Sequence, residues 1–261
     1  MRIALAQFAA STEPADNLAR VRQLAADAAA QAAELVVFPE AAMCSFSRAR
    51  ADAAEPIDGP WAAGVRQAAA DLGTTIVAGM FTTTGGDRVR NTLLVTGAAE
   101  ARYDKVHLFD ALGYAESAQI EPGTEAVAFT LGSRTVGLAT CYDIRFPGLF
   151  THLARLGAEL IVVPTSWAPG PGKLHQWRTL ATARAMDSTS FVVGVDQSLS
   201  PADDGSRRPT GVGHSMVVDP TGEVLLELGD ADELAVVDLD LDLVEGVRER
   251  LPILRHARRF E

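Results

Sequence analysis

The chain has 261 residues, 48% of them hydrophobic, enough to bury a large core and to form one α/β domain over 1–261. Its formal charge of −11, from 34 acidic against 23 basic side chains, argues against a nucleic-acid binder, because phosphate binding needs a basic face. No apolar run approaches the roughly 20 residues that span a bilayer, so no membrane partner is expected. Two cysteines, Cys44 and Cys141, are too few for a disulfide framework. The opening Met-Arg-Ile-Ala-Leu-Ala-Gln lacks the apolar core of a signal peptide, so the expectation is a cytoplasmic protein.

Residues 2–8 alternate like a strand, and 17–33 carry Leu18, Val21, Leu24, Ala25, Ala28 and Ala32 at helical spacing. Leu35-Val-Val-Phe38 reads as a buried strand stopped by Pro39, with the carboxylate of Glu40 immediately after it. A similar unit recurs as Ala158-Glu-Leu-Ile-Val-Val-Pro164-Thr165-Ser166-Trp167. Two helix-then-strand units ending in proline suggest two similar halves whose strand ends face a common cleft. A helix is expected near 61–71 and strands at 76–81 and 91–95, with Thr84-Gly-Gly-Asp87 turning between them. Residues 113–123 read as a polar loop, of the kind that is usually functional.

Further on, the pattern gives a short strand at 135–139, a helix over 148–156, a strand at 160–163, a helix over 174–188 and a strand at 191–196. Pro201 to Pro209 is rich in turn formers and poor in apolar side chains, so disorder is expected there. A hairpin at 214–228, a strand at 233–238, a short helix and an extended basic tail complete the reading. Early alternation and late hairpins point to mixed sheets covered by helices.

Cys141 is the focal residue. An apolar strand stops at its thiol, and Pro147 suits the start of a helix, so the sulfur sits on a strand-to-helix turn. Such a turn can expose a nucleophile and aim backbone N–H groups at a developing oxyanion. The competing reading is a buried structural cysteine. A thiol also needs a base or cation beside it. Of the five histidines, His152 on the following helix is the best placed, and Glu40 with Lys105 is the alternative set.

Val36-Val-Phe-Pro39-Glu40, Tyr103-Asp-Lys105-Val-His-Leu-Phe109 and Leu138-Ala-Thr-Cys141-Tyr-Asp-Ile-Arg-Phe-Pro147 resemble, in order and spacing, the three signature segments of the nitrilase, or carbon–nitrogen hydrolase, superfamily. The similarity extends through the Trp177/Arg184 helix, Gly213-His-Ser-Met-Val-Val-Asp-Pro220 and Arg250-Leu-Pro252. It implies a four-layer α-β-β-α sandwich with two mixed sheets, pairing as a homodimer or larger assembly. It implies a Glu40–Lys105–Cys141 triad, with Glu116 as a fourth site carboxylate and the Tyr142 backbone N–H in the oxyanion hole.

The implied chemistry is hydrolysis of a small amide through a thioester, with no cofactor and no metal. Asp238-Leu-Asp240-Leu-Asp242 imitates a calcium loop, but Leu243 stands where that loop needs glycine. Nitrile or ureide hydrolysis and acyl transfer are alternatives on the same triad, and a silent binding module is a further one. Substrate contacts are expected from Phe46, Phe109, Tyr114, Arg145, Thr165, Ser166 and Trp167, with Arg145 clamping a substrate carboxylate or pairing with Asp143 or Glu116. Arg145-Phe-Pro and the Gly213 stretch look most like the branch of ω-amidases and deaminated glutathione amidases. Residues 167–177 depart from that branch.

Overall fold

The computed structural model describes residues 1–199 and 210–258. The first half contains β1 (Arg2–Gln7), α1 (Pro14–Ala29), β2 (Leu35–Val37), α2 (Arg50–Ala53), α3 (Pro60–Leu72), β3 (Thr75–Thr83), β4 (Val89–Thr96) and β5 (Ala101–Asp104). A small hairpin, β6 (Asp110–Ala111) and β7 (Tyr114–Ala115), leads to a 3-10 turn at Glu116–Ala118. The second half contains β8 (Val127–Leu131), β9 (Arg134–Leu138), a 3-10 turn at Cys141–Arg145, α4 (Pro147–Arg155), β10 (Leu160–Thr165), α5 (Lys173–Ser188) and β11 (Phe191–Asp196). The chain then runs through β12 (Met216–Val218), β13 (Val224–Glu227), β14 (Glu233–Asp238), α6 (Asp242–Arg250) and α7 (Ile253–His256).

Two six-stranded sheets have the orders β14-β1-β2-β3-β4-β5 and β13-β12-β11-β10-β9-β8. In each, three parallel strands are flanked by one antiparallel strand on one side and two on the other. The two halves are therefore alike, and β2 and β10, the two proline-ended strands, are the middle parallel strands of their sheets. Ligand sites of such sheets lie beyond the carboxyl ends of the parallel strands.

Three apolar layers give the four-layer sandwich. One lies between the first sheet and α1 and α3, one between the two sheets, and one between the second sheet and α4 and α5. β1 shows how a strand serves two of them. Ile3 and Leu5 enter the layer between the sheets, while Ala4 and Ala6 face the helices, where their small size lets Ala25 and Ala28 of α1 approach. The alternation in residues 2–8 is thus one of size, and the strand is buried on both faces, as parallel sheets require.

Proline opens α1, α3 and α4, where its missing N–H costs nothing. α1 begins three residues before Asn17 because that side chain ties Ser11 to the first turn, bonding its N–H and carbonyl at 2.8 and 2.9 Å. It stops before residue 33 because Ala32 takes a left-handed turn. The polar loop at 113–123 contains β7 and the 3-10 turn, and the basic tail begins as α7 instead of running extended. The turn-rich stretch Pro201–Pro209 lies outside the described residues. No helix among the described residues is long and apolar enough to cross a membrane.

Candidate active site

Glu40 leaves the end of β2 on a tight turn. Ala41 has φ +55°, and the backbone presses on Gly79 of β3, where an added Cβ would stand 2.5 Å from the Ala41 nitrogen and 2.9 Å from the Glu40 Cα. Only glycine fits that approach. Gly79→Ala is therefore expected to displace Glu40 and lower kcat about tenfold or more while the protein still melts cooperatively, a loss by misplacement. Unchanged kcat would show that the turn tolerates the shift.

The Glu40 side chain is held on every side. The Ser166 N–H donates to Oε2 at 2.9 Å, Asn91 Nδ2 to Oε1 at 2.7 Å and Lys105 Nζ to Oε1 at 3.1 Å, while Gln197 Nε2 donates to the Glu40 carbonyl at 2.9 Å. Lys105, one residue beyond β5, also donates to Glu116 at 2.9 and 3.1 Å. Glu116 is fixed in turn by the Phe109 N–H at 2.7 Å. All three charged groups are buried. Burial raises the Glu40 pKa, against the pull of Lys105. Burial alone would lower that of Lys105, but Glu116 and Glu40 together push it well above the ordinary lysine value.

Cys141 opens the 3-10 turn after β9 with φ +47°, a left-handed conformation rare outside glycine. Its Sγ points at the Ser166 carbonyl, 3.8 Å away. One peptide residue, Ser166 at the end of β10, therefore touches both Glu40 and the sulfur. Burial and then Glu40 raise the thiol pKa well above its ordinary value, with Lys105 opposing them. The resting group is accordingly a thiol, and its proton must leave as it attacks.

The turn is anchored by Asp143, which is fully buried. Oδ2 accepts from Thr140 N–H at 2.8 Å and Tyr103 O–H at 2.6 Å; Oδ1 accepts from His107 N–H at 3.0 Å and faces His107 Nδ1 at 2.7 Å. Asp143 thus bolts the nucleophile's turn to the segment carrying Lys105. Replacing it by Asn sets an amide against donors, and Asp143→Asn is expected to cost about 2–3 kcal/mol of stability. Urea unfolding would measure the loss, and an unchanged midpoint would deny the anchor.

A cavity of about 550 Å³, open mouth included, gathers these groups: Glu40, Lys105, Glu116 and Cys141 all line it. So do Phe46, Phe109, Tyr114, Tyr142, Arg145, Ser166 and Trp167, all named from the sequence. Thr165 does not; it is fully buried and its hydroxyl donates to the Val163 carbonyl at 2.9 Å. Thr165 is the last residue of β10 and is buried within the sheet, whereas Ser166 and Trp167 lie beyond the strand's end, where alternation no longer applies, and line the cleft. Arg145 pairs with neither Asp143 nor Glu116; its Nη2 donates to Gln176 Oε1 at 2.6 Å and its guanidinium lies over Trp167. His152 is exposed on α4 and is not among the lining residues.

Arg50 and Lys173 also line the cavity and went unnamed in the sequence reading. So did Asn91, Gln197, Gly79 and the anchoring role of Asp143. Nothing local marks an Asn in mid-strand or an Arg in a surface-like run as part of a site. The Thr140-Cys-Tyr-Asp143 run held a signal for Asp143, an acid three residues after a threonine, at the spacing that lets its carboxylate accept the Thr140 N–H at the start of a turn.

A family model described as carbon-nitrogen hydrolase matches residues 2–249. The chain belongs to that family. As a carbon–nitrogen hydrolase it is an enzyme, and its relatives include amidases. It is 49% identical over its whole length to Hydrolase Rv0480c of Mycobacterium tuberculosis, covering 96% of that protein. It is 32% identical to the deaminated glutathione amidase of Escherichia coli O157:H7, with 99% of this chain and 97% of that one aligned. Among solved structures, an amidase mutant from Nesterenkonia sp. AN1 with acrylamide added to its active-site cysteine superposes with a TM-score of 0.78 at 28% identity, covering 97% of this chain and 98% of that one.

Proposed function

We propose that this carbon–nitrogen hydrolase cleaves a small, carboxylate-bearing amide through a thioester on Cys141. The observation that carries the reading is the contact of one residue, Ser166, with both Glu40 and the Cys141 sulfur, beside a lysine bonded to two carboxylates. Acyl transfer needs a nucleophile, a base and a fixed positive charge within one water-poor site, and that set supplies them.

In the first half-reaction Cys141 Sγ attacks the amide carbon as its proton passes to Glu40. The raised pKa of Glu40 suits this exchange, because a buried carboxyl that holds its proton more tightly than an ordinary one can take it from the thiol and later give it up to the departing amine. The oxyanion is stabilised by the Lys105 ammonium and the Tyr142 N–H, which stands in the first turn of the 3-10 segment, where no carbonyl within the helix precedes it. The tetrahedral species collapses, the C–N bond breaks, and the proton on Glu40 leaves with ammonia or amine. Water then gives a proton to Glu40 and attacks the thioester, and the returning proton restores the thiol. Glu116 holds Lys105 in place throughout.

Arg145, whose one hydrogen-bond partner among the described residues is the neutral Gln176, is the reader of the substrate carboxylate. The amidase among the relatives supports an amide substrate. Intact mass spectrometry after mixing with candidate ω-amides is expected to reveal an acyl adduct on Cys141, with ammonia released in step. Ammonia release without any adduct, at any quench time, would refute the covalent route.

We also propose a homodimer. Met186, Val224 and Leu225 are exposed where α5 packs beside the β12–β13 hairpin, linked to it by Arg178 and Glu227. Light scattering is expected to give twice the chain mass, and an unchanged dimer after Met186→Glu would move the interface elsewhere.

A further inference from the structure

The cavity carries more positive charge than this chemistry uses. Its lining includes four cations, Arg50, Lys105, Arg145 and Lys173, against two carboxylates, Glu40 and Glu116. Both carboxylates are bonded to Lys105. Among the described residues no acid forms an ion pair with Arg50, Arg145 or Lys173, although the chain as a whole carries a net charge of −11. Uncompensated cations in a partly dry pocket repel one another and favour any anion that enters.

The three lie at two stations separated by the rings of Tyr114 and Phe109. At the first, Arg50 is only 7% exposed. Its Nη1 donates to Gln119 Oε1 at 2.6 Å and its Nη2 to the Tyr114 hydroxyl, while the guanidinium rests over the Phe46 ring, 4.9 Å from the centroid. Those neutral partners fix the group without cancelling its charge, and its Nε is buried with no hydrogen-bond partner. At the second station, Lys173 Nζ sits 5.1 Å from the centroid of Trp167 and 5.8 Å from that of Phe109. The Arg145 guanidinium lies 5.1 Å over the same indole. Partial burial and then Arg145 depress the lysine's pKa, a cost that a bound anion would relieve.

We propose that the substrate carries two anionic groups, one received by Arg50 and the other by Lys173 together with Arg145, so that dianionic amides are preferred over monoanionic ones. Lys173 is the specificity-determining member of the second station. It opens α5 directly after the Ala168–Gly172 loop, where this chain departs from the branch it otherwise resembles. The word amide rests on the reading given above, whereas the two anion stations stand on charge and geometry alone.

Binding can be measured without the reaction. Calorimetry on the wild-type protein would compare butyrate with the dicarboxylates from malonate to adipate, none of which has a C–N bond to cleave. At least one dicarboxylate is expected to bind about tenfold or more tightly than butyrate, as befits a second charge-assisted contact. Lys173→Met should bring that ratio close to one, Lys173→Arg should keep most of it, and Arg50→Met should act like Lys173→Met where its melting profile stays cooperative. Equal binding of butyrate and every dicarboxylate, or an unaltered ratio in Lys173→Met, overturns the proposal. A parallel comparison of kcat/KM on dianionic and monoanionic amides separates the two readings. Turnover without a dianion preference leaves the hydrolase and removes the stations, whereas dicarboxylate preference without amide turnover does the reverse.

Discussion

Cys141→Ala is expected to abolish both acyl-adduct formation and amide turnover, with a fall in kcat of at least about 10⁴-fold, as for nucleophiles that act as part of a unit. The loss should come without unfolding. Among the described residues the Cys141 sulfur makes one hydrogen bond, a weak one at 3.8 Å, and its turn is held by Asp143 through Thr140, Tyr103 and His107, none of which the substitution touches. Alanine tolerates the left-handed φ no worse than cysteine does, so the strain at this position is unchanged. The discriminating measurement is a pair: a melting curve within a few degrees of wild type, and no labelling by substrate in intact mass. Turnover above about a hundredth of wild type would remove Cys141 from the reaction.

Glu40→Gln is the second large effect. General-base catalysis contributes about 10²–10⁴-fold, and here one carboxyl serves both half-reactions, so a loss of about 10³-fold or more is expected. The stability change should depend on pH. Burial raises the Glu40 pKa in the folded protein, so the folded state holds that proton more tightly than the unfolded chain. Ionised Glu40 therefore costs stability, a cost absent below the unfolded carboxyl value and complete once pH passes the raised folded one. Glutamine carries no charge to desolvate, but its amide nitrogen must face a donor, either the Ser166 N–H or Asn91 and Lys105. That cost does not vary with pH, so the melting temperature of the variant relative to wild type should be higher above the raised value than below it. Activity of the wild type should decline on the acid limb of kcat/KM as Glu40 takes up a proton. A variant that instead loses ground to wild type as pH rises from 6 to 8 would make Glu40 a structural ion-pair partner.

Much of the arrangement was legible along the chain. The proline-ended strands at 35–38 and 160–164, Pro147 at the start of a helix and the strand-to-turn switch at Cys141 are local facts, and each emerged near its expected place. Boundaries moved where a side chain reached outside its own segment, as Asn17 does to Ser11 and Met43. Thr165 was offered as a cleft residue because the strand was expected to stop at Val163; β10 runs on to Thr165 and keeps it buried in the sheet, so the cleft begins at Ser166. Arg145 was offered Asp143 or Glu116 as an acidic partner, yet α5 supplies the neutral Gln176 from 31 residues away.

The sequence by itself determined the chemistry on offer: a thiol at a strand end, two glutamates and a lysine in characteristic settings, and two similar halves to carry them. Only the tertiary structure decided which of those groups meet, because contact across two sheets is a property of register and packing, and neither is written in any one segment. Glu40 reaches Ser166 across 126 residues, and Gln197 reaches the Glu40 carbonyl across 157. Desolvation followed from the same step. The raised pKa values of Glu40 and Cys141 exist because the layers close over them, and the uncompensated charge of Arg50, Arg145 and Lys173 became visible only when three distant segments formed one wall.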